Sequence, residues 1–275
     1  MAEALLEAKE VSKTYPRRGG IFPGSLGAVE AVRRVSCSLG SGETLGLVGE
    51  SGCGKTTLAK LLVGLIRPSR GRVLIHGQVL DRLRGAALLA ARRAVQFVFQ
   101  DSMNSLNPRL RVEEILSEPL IIHRLASGAA RRGRVAELLE TVQLPADYRR
   151  RLPRELSGGE RQRVGIARAL AVEPEAIICD EPIASLDVSV GAQILALLRT
   201  LCRSSRPNEG RGERRTALLF ISHDLRAVAS LCERIAVMRD GQLLETTPTD
   251  ALLSKPGHPY TELLLRSADL DLDAT

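Results

Sequence analysis

Eight consecutive residues, Gly49-Glu50-Ser51-Gly52-Cys53-Gly54-Lys55-Thr56, fit the pattern G-x-x-x-x-G-K-[ST] in full. Glycines at these positions let backbone N–H groups turn inward around a polyphosphate, and the positive end of a following helix adds to that attraction. The spacing assigns Lys55 to the β- and γ-phosphates and the Thr56 hydroxyl to Mg²⁺, with Thr57 beside it in the nucleotide-binding set. Lys55 and the helix N-terminus should also favour the thiolate of Cys53.

A phosphate loop of this kind needs acids on a second strand. The run AIICDE (Ala176–Glu181) supplies them, four apolar residues followed by Asp180 and Glu181. Ligands of parallel sheets sit at the carboxyl ends of the strands. Asp180 is therefore assigned to Mg²⁺, directly or through water, and Glu181 to polarising the attacking water as general base. A third apolar run, TALLFIS (Thr216–Ser222), ends at His223, which from the same edge would hydrogen-bond the γ-phosphate and the water.

One more stretch stands out, LSGGERQRVGIARAL (Leu156–Leu170). Ser157 and Glu160 have the spacing of a capping box. Gly158 and Gly159, however, fill a first helical turn at a cost of about 0.5–1 kcal/mol each relative to Ala, so the bare helix end needs a further reason.

The elements around these residues alternate. Thr44–Val48 is an apolar strand ahead of the loop, and Leu58, Leu61, Leu62 and Leu65 recur at helical spacing after it. Residues about 101–171 lack strand patterns and predict helices over 111–124, over 130–143 and after LSGGE. The pattern predicts an α/β fold, a parallel-rich sheet flanked by helices, built from residues 1 to about 100 and about 172 to 255, with a helical subdomain inserted.

Composition narrows the class. The 275 residues are 44% hydrophobic and 26% charged, ordinary globular values. No apolar run approaches the ~18 residues of a membrane span, and the acidic MAEALLEAKE start lacks the features of a secretory signal. Five cysteines without C-x-x-C spacing argue against disulfides or a metal cluster. The net charge of +7, mostly arginine, reads as a solvated surface, and three Tyr, four Phe and no Trp leave few stacking platforms for single-stranded nucleic acid.

Taken together, the loop at 49–56, LSGGE at 156–160, the acidic strand at 176–181, Ser185-Leu186-Asp187 and His223 resemble the ATP-binding subunits of ABC transporters in order and spacing. The resemblance covers nearly the whole chain. It implies that Gln100, ending VQFVFQ, is a switch glutamine that also touches the metal. It further implies that Tyr15 stacks on adenine and that Ser185, Leu186 and Asp187 form a dimer-interface loop. A finer resemblance is to importers of peptides, nickel or nickel chelates that carry two different ATPase subunits, the second type in particular. It rests on RRGGIFPGSLGAVEAV after Tyr15, on QDSMNSLNPRLRV, and on HPYTELLL (His258–Leu265). The chain stops at Thr275 with no cysteine after Cys232, which leans toward the shorter, nickel-type members. The basic loop Arg203–Arg215 is read as a mobile surface insertion.

On this resemblance residues 1–255 form the ATP-binding domain, with about 101–171 inserted, and 256–275 a tail of the importer type. The expected activity is ATP hydrolysis coupled to import at the cytoplasmic face of the inner membrane. The expected partners are two permease subunits, a second and non-identical ATPase and, indirectly, an extracytoplasmic substrate-binding protein. Nucleic acid is not an expected partner. The alternative, a soluble ABC-type ATPase working on nucleic acid or ribosomes, would carry a long coiled coil, zinc modules or two cassettes, and the sequence has none of them. Two subunits head to tail would set Ser157, Gly158, Gly159 and Glu160 of one against the γ-phosphate held by the other, a use for bare glycines.

Overall fold

Strand β1 (Leu6–Pro16) alternates its burial from Leu6 to Ala8, slips at Glu10, whose φ is 46°, and resumes at Val11. The slip is a bulge in the pairing with β2 (Ala28–Leu39) and β4 (Arg70–Ile75), which sets Leu6 opposite both Leu39 and Ile75. With β5 (Gln78–Val79) these strands form an antiparallel sheet ordered β2-β1-β4-β5. The computed structural model describes residues 4–16, 27–100, 105–203, 206–208 and 212–268. The chain divides into two compact units, Met1–Arg84 with Leu219–Thr275, and Gly85–Leu218.

The first unit also holds β3 (Thr44–Val48), buried at every residue, and β11 (Arg234–Arg239), which pairs parallel to it from Arg234↔Leu45 to Val237↔Val48. Burial on both faces is what an uninterrupted apolar run predicts. Strand β12 (Gln242–Pro248) returns antiparallel to β11. Strand β10 (Ala217–Ile221), also buried throughout, straddles the division. Helix α1 (Lys55–Leu62) follows β3, and α7 (Leu225–Leu231), α8 (Thr249–Ser254) and α9 (Pro259–Ser267) come late in the chain. Leu58, Leu61 and Leu62 are buried, whereas Leu65 lies past the end of α1 and is exposed.

In the second unit β6 (Val95–Val98) and β7 (Ala176–Asp180) pair parallel, Val98 opposite Cys179. Around them run α2 (Gly85–Ala94), α3 (Val112–Ile122), α4 (Gly128–Thr141), α5 (Gly158–Leu170) and α6 (Val188–Arg203). Ile115, Leu116, Leu120, Leu138, Leu139 and Ile166 are fully or almost fully buried. The buried Arg163 ties α5 to its neighbours. Its guanidinium donates to the Val142 carbonyl at 2.7 Å and to the side-chain oxygen of Gln193 on α6 at 3.1 Å. A buried cation is tolerated when its donors are satisfied in this way.

Helices α3 and α4 fall where the pattern places them. The basic loop is different. Within it β8 (Arg206–Asn208) and β9 (Gly212–Arg214) pair antiparallel, Pro207 opposite Glu213, so part of the insertion is a ribbon rather than irregular chain. Residues 17–26 of the loop after Tyr15, 101–104 of the strip after Gln100, 204–205 and 209–211 of the basic loop, and 269–275 of the tail lie outside the described residues. Among those described, no helix is long and apolar enough to cross a membrane.

Candidate nucleotide site

The phosphate loop leaves the carboxyl end of β3, and two of its glycines are demanded by neighbouring backbone. At Gly49, φ 152°, a Cβ would stand 2.1 Å from the Met238 carbonyl oxygen on β11; at Gly54, φ 112°, one would stand 2.2 Å from that of Ala31 on β2. No side chain at either position fits without moving a strand. Helix α1 begins directly after Gly54 with no side-chain cap and no acid in its first turn. Its positive end thus faces no acid of its own first turn and suits an anion.

Lys55 is 5% exposed, and its ammonium donates to the carbonyls of Gly49 at 2.7 Å and Glu50 at 2.9 Å. Cys53 departs from expectation. Its thiol is 4.0 Å from the Lys55 ammonium, yet burial outweighs that charge and pushes the thiol above its ordinary value. Burial therefore disfavours the thiolate, and burial, unlike the neighbouring Lys55, is not visible in the sequence.

His223, just past β10, comes to the same loop. It lines a cavity of about 380 Å³ together with Gly49, Asp224, Arg226 and Leu264. Asp224 caps α7 by accepting the Ala227 N–H at 3.1 Å. Tyr15, next to last in β1, is an exposed ring with the Lys13 ammonium 5.3 Å from its centroid. A residue to which the sequence reading gave no role, Tyr260 on α9, also reaches the loop: its hydroxyl oxygen accepts the Glu50 N–H at 3.3 Å. The HPYT wording marked this segment without saying what it touches.

In the second unit Asp180 is the last residue of β7 and 3% exposed. Glu181 follows, half-buried, in left-handed backbone with φ 46°. Gln100 lies two residues past the end of β6, exposed. Because β6 and β7 run parallel, Gln100, Asp180 and Glu181 leave from the same edge. Ser157 caps α5 as expected: its hydroxyl accepts the Glu160 N–H at 3.3 Å, and the Glu160 carboxylate accepts the Ser157 N–H at 2.7 Å. Burial raises the Glu160 carboxyl, but hydrogen bonds from Tyr148 and Ser157 prevail and hold it below the usual range. Leu186 packs toward Gly158, where a Cβ would stand 3.2 Å from its Cδ2, and Gly191 N–H donates to the Asp187 carbonyl at 2.8 Å. Ser185 is exposed.

A profile of the ABC transporter family matches residues 32–184. The chain is 47% identical over 98% of its length to the probable peptide ABC transporter ATP-binding protein y4tS of Sinorhizobium fredii, covering 73% of that protein. It is 43% identical over 96% of its length to the oligopeptide transport ATP-binding protein AppF of Bacillus subtilis, covering 78% of it. The chain belongs to the ABC transporter family. Its fold matches the dimeric post-hydrolysis structure of the ATP-binding cassette MJ0796 bound to ADP and Pi, with a TM-score of 0.75, 31% identity and coverage of 89% of this chain and 98% of that one. As an ABC ATPase the chain binds and hydrolyses ATP.

Proposed function

We propose that this ABC ATPase powers import of peptides or small peptide-like solutes, working head to tail with a second ATPase subunit beneath two permeases at the cytoplasmic face of the membrane. A substrate-binding protein on the other side would deliver the cargo. The observation that carries the catalytic part is the buried Lys55 beside an uncapped helix N-terminus. The cargo class is supported by relatives named for peptide and oligopeptide transport, and by a glutathione import protein of Pectobacterium atrosepticum, 43% identical over 96% of this chain though the chain spans only 41% of that protein. Nickel, the other expected cargo, has no counterpart among these relatives.

In the proposed reaction Lys55 and loop N–H groups beyond Glu50 hold the phosphates, and Tyr15 stacks on the base. Glu181 takes the proton of the water that attacks the γ-phosphorus, the bond to the β-bridging oxygen breaks, and ADP leaves. His223 hydrogen-bonds the γ-phosphate and the water. Thr56, Gln100 and Asp180 offer a hydroxyl, an amide and a carboxylate, the oxygen donors a hard cation takes. Mg²⁺ held by them would neutralise charge on the β- and γ-phosphates. Residues about 101–171 would form the helical subdomain that meets the permeases, with Ser157 to Glu160 acting on the partner's nucleotide and Ser185 to Asp187 at the pair's interface.

The test is Lys55→Ala. ATP affinity of the purified chain should fall by at least about 10²-fold, since a charge-assisted contact to phosphate is lost, and peptide uptake in vesicles with the cognate permeases should stop. Unaltered affinity would overturn the assignment.

A further inference from the structure

We propose that Tyr260 is a positioning residue of the phosphate loop, holding the Gly49–Glu50 peptide on its N–H side while Lys55 holds it on its carbonyl side. The proposal rests on the nucleotide reading above. A trans peptide points its C=O and N–H in opposite directions. Here the Gly49 carbonyl accepts from the Lys55 ammonium at 2.7 Å, and the Glu50 N–H donates to the Tyr260 hydroxyl oxygen at 3.3 Å. One rigid plane is gripped at both ends. Burial, with the Glu50 side chain adding to it, raises the phenol above its ordinary value, so the hydroxyl stays protonated.

The grip matters because of what flanks the plane. Gly49 has no side chain to restrain it, and a glycine peptide is the one most free to rotate. Rotation would take away an acceptor that sets where the Lys55 ammonium rests. Another contact of the loop, the Gly241 N–H donating to the Cys53 carbonyl at 2.9 Å, lies beyond the plane and does not stop this.

Tyr260 is itself held from several directions. It is 4% exposed, with the Arg239 guanidinium 4.6 Å from its ring centroid. Helix α9 starts at Pro259, and His258 caps it through Nδ1, which accepts the Tyr260 N–H at 3.0 Å. Glu245 on β12 accepts from the Gly257 N–H at 2.9 Å and from the Thr261 hydroxyl. A hydroxyl aimed by this much packing costs little entropy to keep in place.

The experiment is Tyr260→Phe in the full chain, which keeps the ring, its burial and the Arg239 stack. ATP Kd is measured by calorimetric titration well below the melting temperature, where a folding defect does not reach it. ATP should bind about three- to tenfold more weakly, the worth of one lost hydrogen bond, while the melting temperature without nucleotide drops by only about 2–4 °C. A Kd equal to wild type, with or without a lower melting temperature, overturns the proposal. Lys55→Ala runs alongside: if it too leaves Kd unchanged, the phosphate-loop reading fails, whereas loss in Lys55→Ala alone sinks only the role of Tyr260. Should Tyr260→Phe not fold, Glu245→Gln, which loosens the start of α9 and spares the hydroxyl, replaces it. Weakened ATP binding then supports the proposal and unchanged binding overturns it.

Discussion

A Cβ built on Gly159 would stand 2.3 Å from Cγ1 of Val190, the third residue of α6. The second glycine of LSGGE is therefore required by packing inside the second unit, whatever else the bare helix end serves. Val190 has little rotamer freedom on a helix to move aside. Gly159→Ala should cost about 1–3 kcal/mol through overpacking, and Val190→Ala in the same chain should recover most of it. A urea-melt cycle of the two single variants and the double variant measures the coupling; additive effects would refute the contact.

A change at Gly159 consequently confuses packing with any action on a partner's nucleotide. Ser157 gives a cleaner test. Asn caps a helix as well as Ser, so Ser157→Asn should leave the fold and the lone subunit's ATP affinity intact while its longer side chain fills the space a phosphate would take. Hydrolysis by the reconstituted ATPase pair should fall about tenfold or more. Weaker ATP binding by the lone subunit would place the action in the same chain instead.

Glu181→Gln should keep ATP binding and lose turnover by about 10²–10⁴-fold, the usual worth of a general base. Steady-state hydrolysis by the reconstituted pair checks it. Turnover close to wild type would mean another residue activates the water.

Burial that raises the Cys53 thiol leaves less thiolate at pH 7.5 than an open thiol has. Iodoacetamide should therefore modify Cys53 more slowly than a peptide thiol, as followed by mass spectrometry of the digested chain. A rate equal to the peptide's would show that Lys55 outweighs burial.

What the sequence discloses here is what depends on neighbours along the chain. The loop at 49–56 is legible because its backbone path and its Lys55 are local. The Ser157–Glu160 box is legible because its two hydrogen bonds span one helical turn. The burial of β3, β7 and β10 follows from apolar runs alone. The demand of Val190 on Gly159 is tertiary and leaves no trace in spacing. So is the hydrogen bond from Glu50 to Tyr260, 210 positions away. Cys53 failed for the same reason, since the charge beside it is sequential and the burial around it is not. The ribbon in the basic loop pairs short polar strands, which carry no apolar alternation to read.

Glu181 occupies left-handed backbone, φ 46°, where an ordinary side chain costs about 1 kcal/mol and glycine almost nothing. The position is thus under two opposed pressures. Folding favours the residue with no side chain, and the proposed water activation requires a carboxylate. Engineering aimed only at heat tolerance would drift toward glycine here and gain stability as it lost the proposed base.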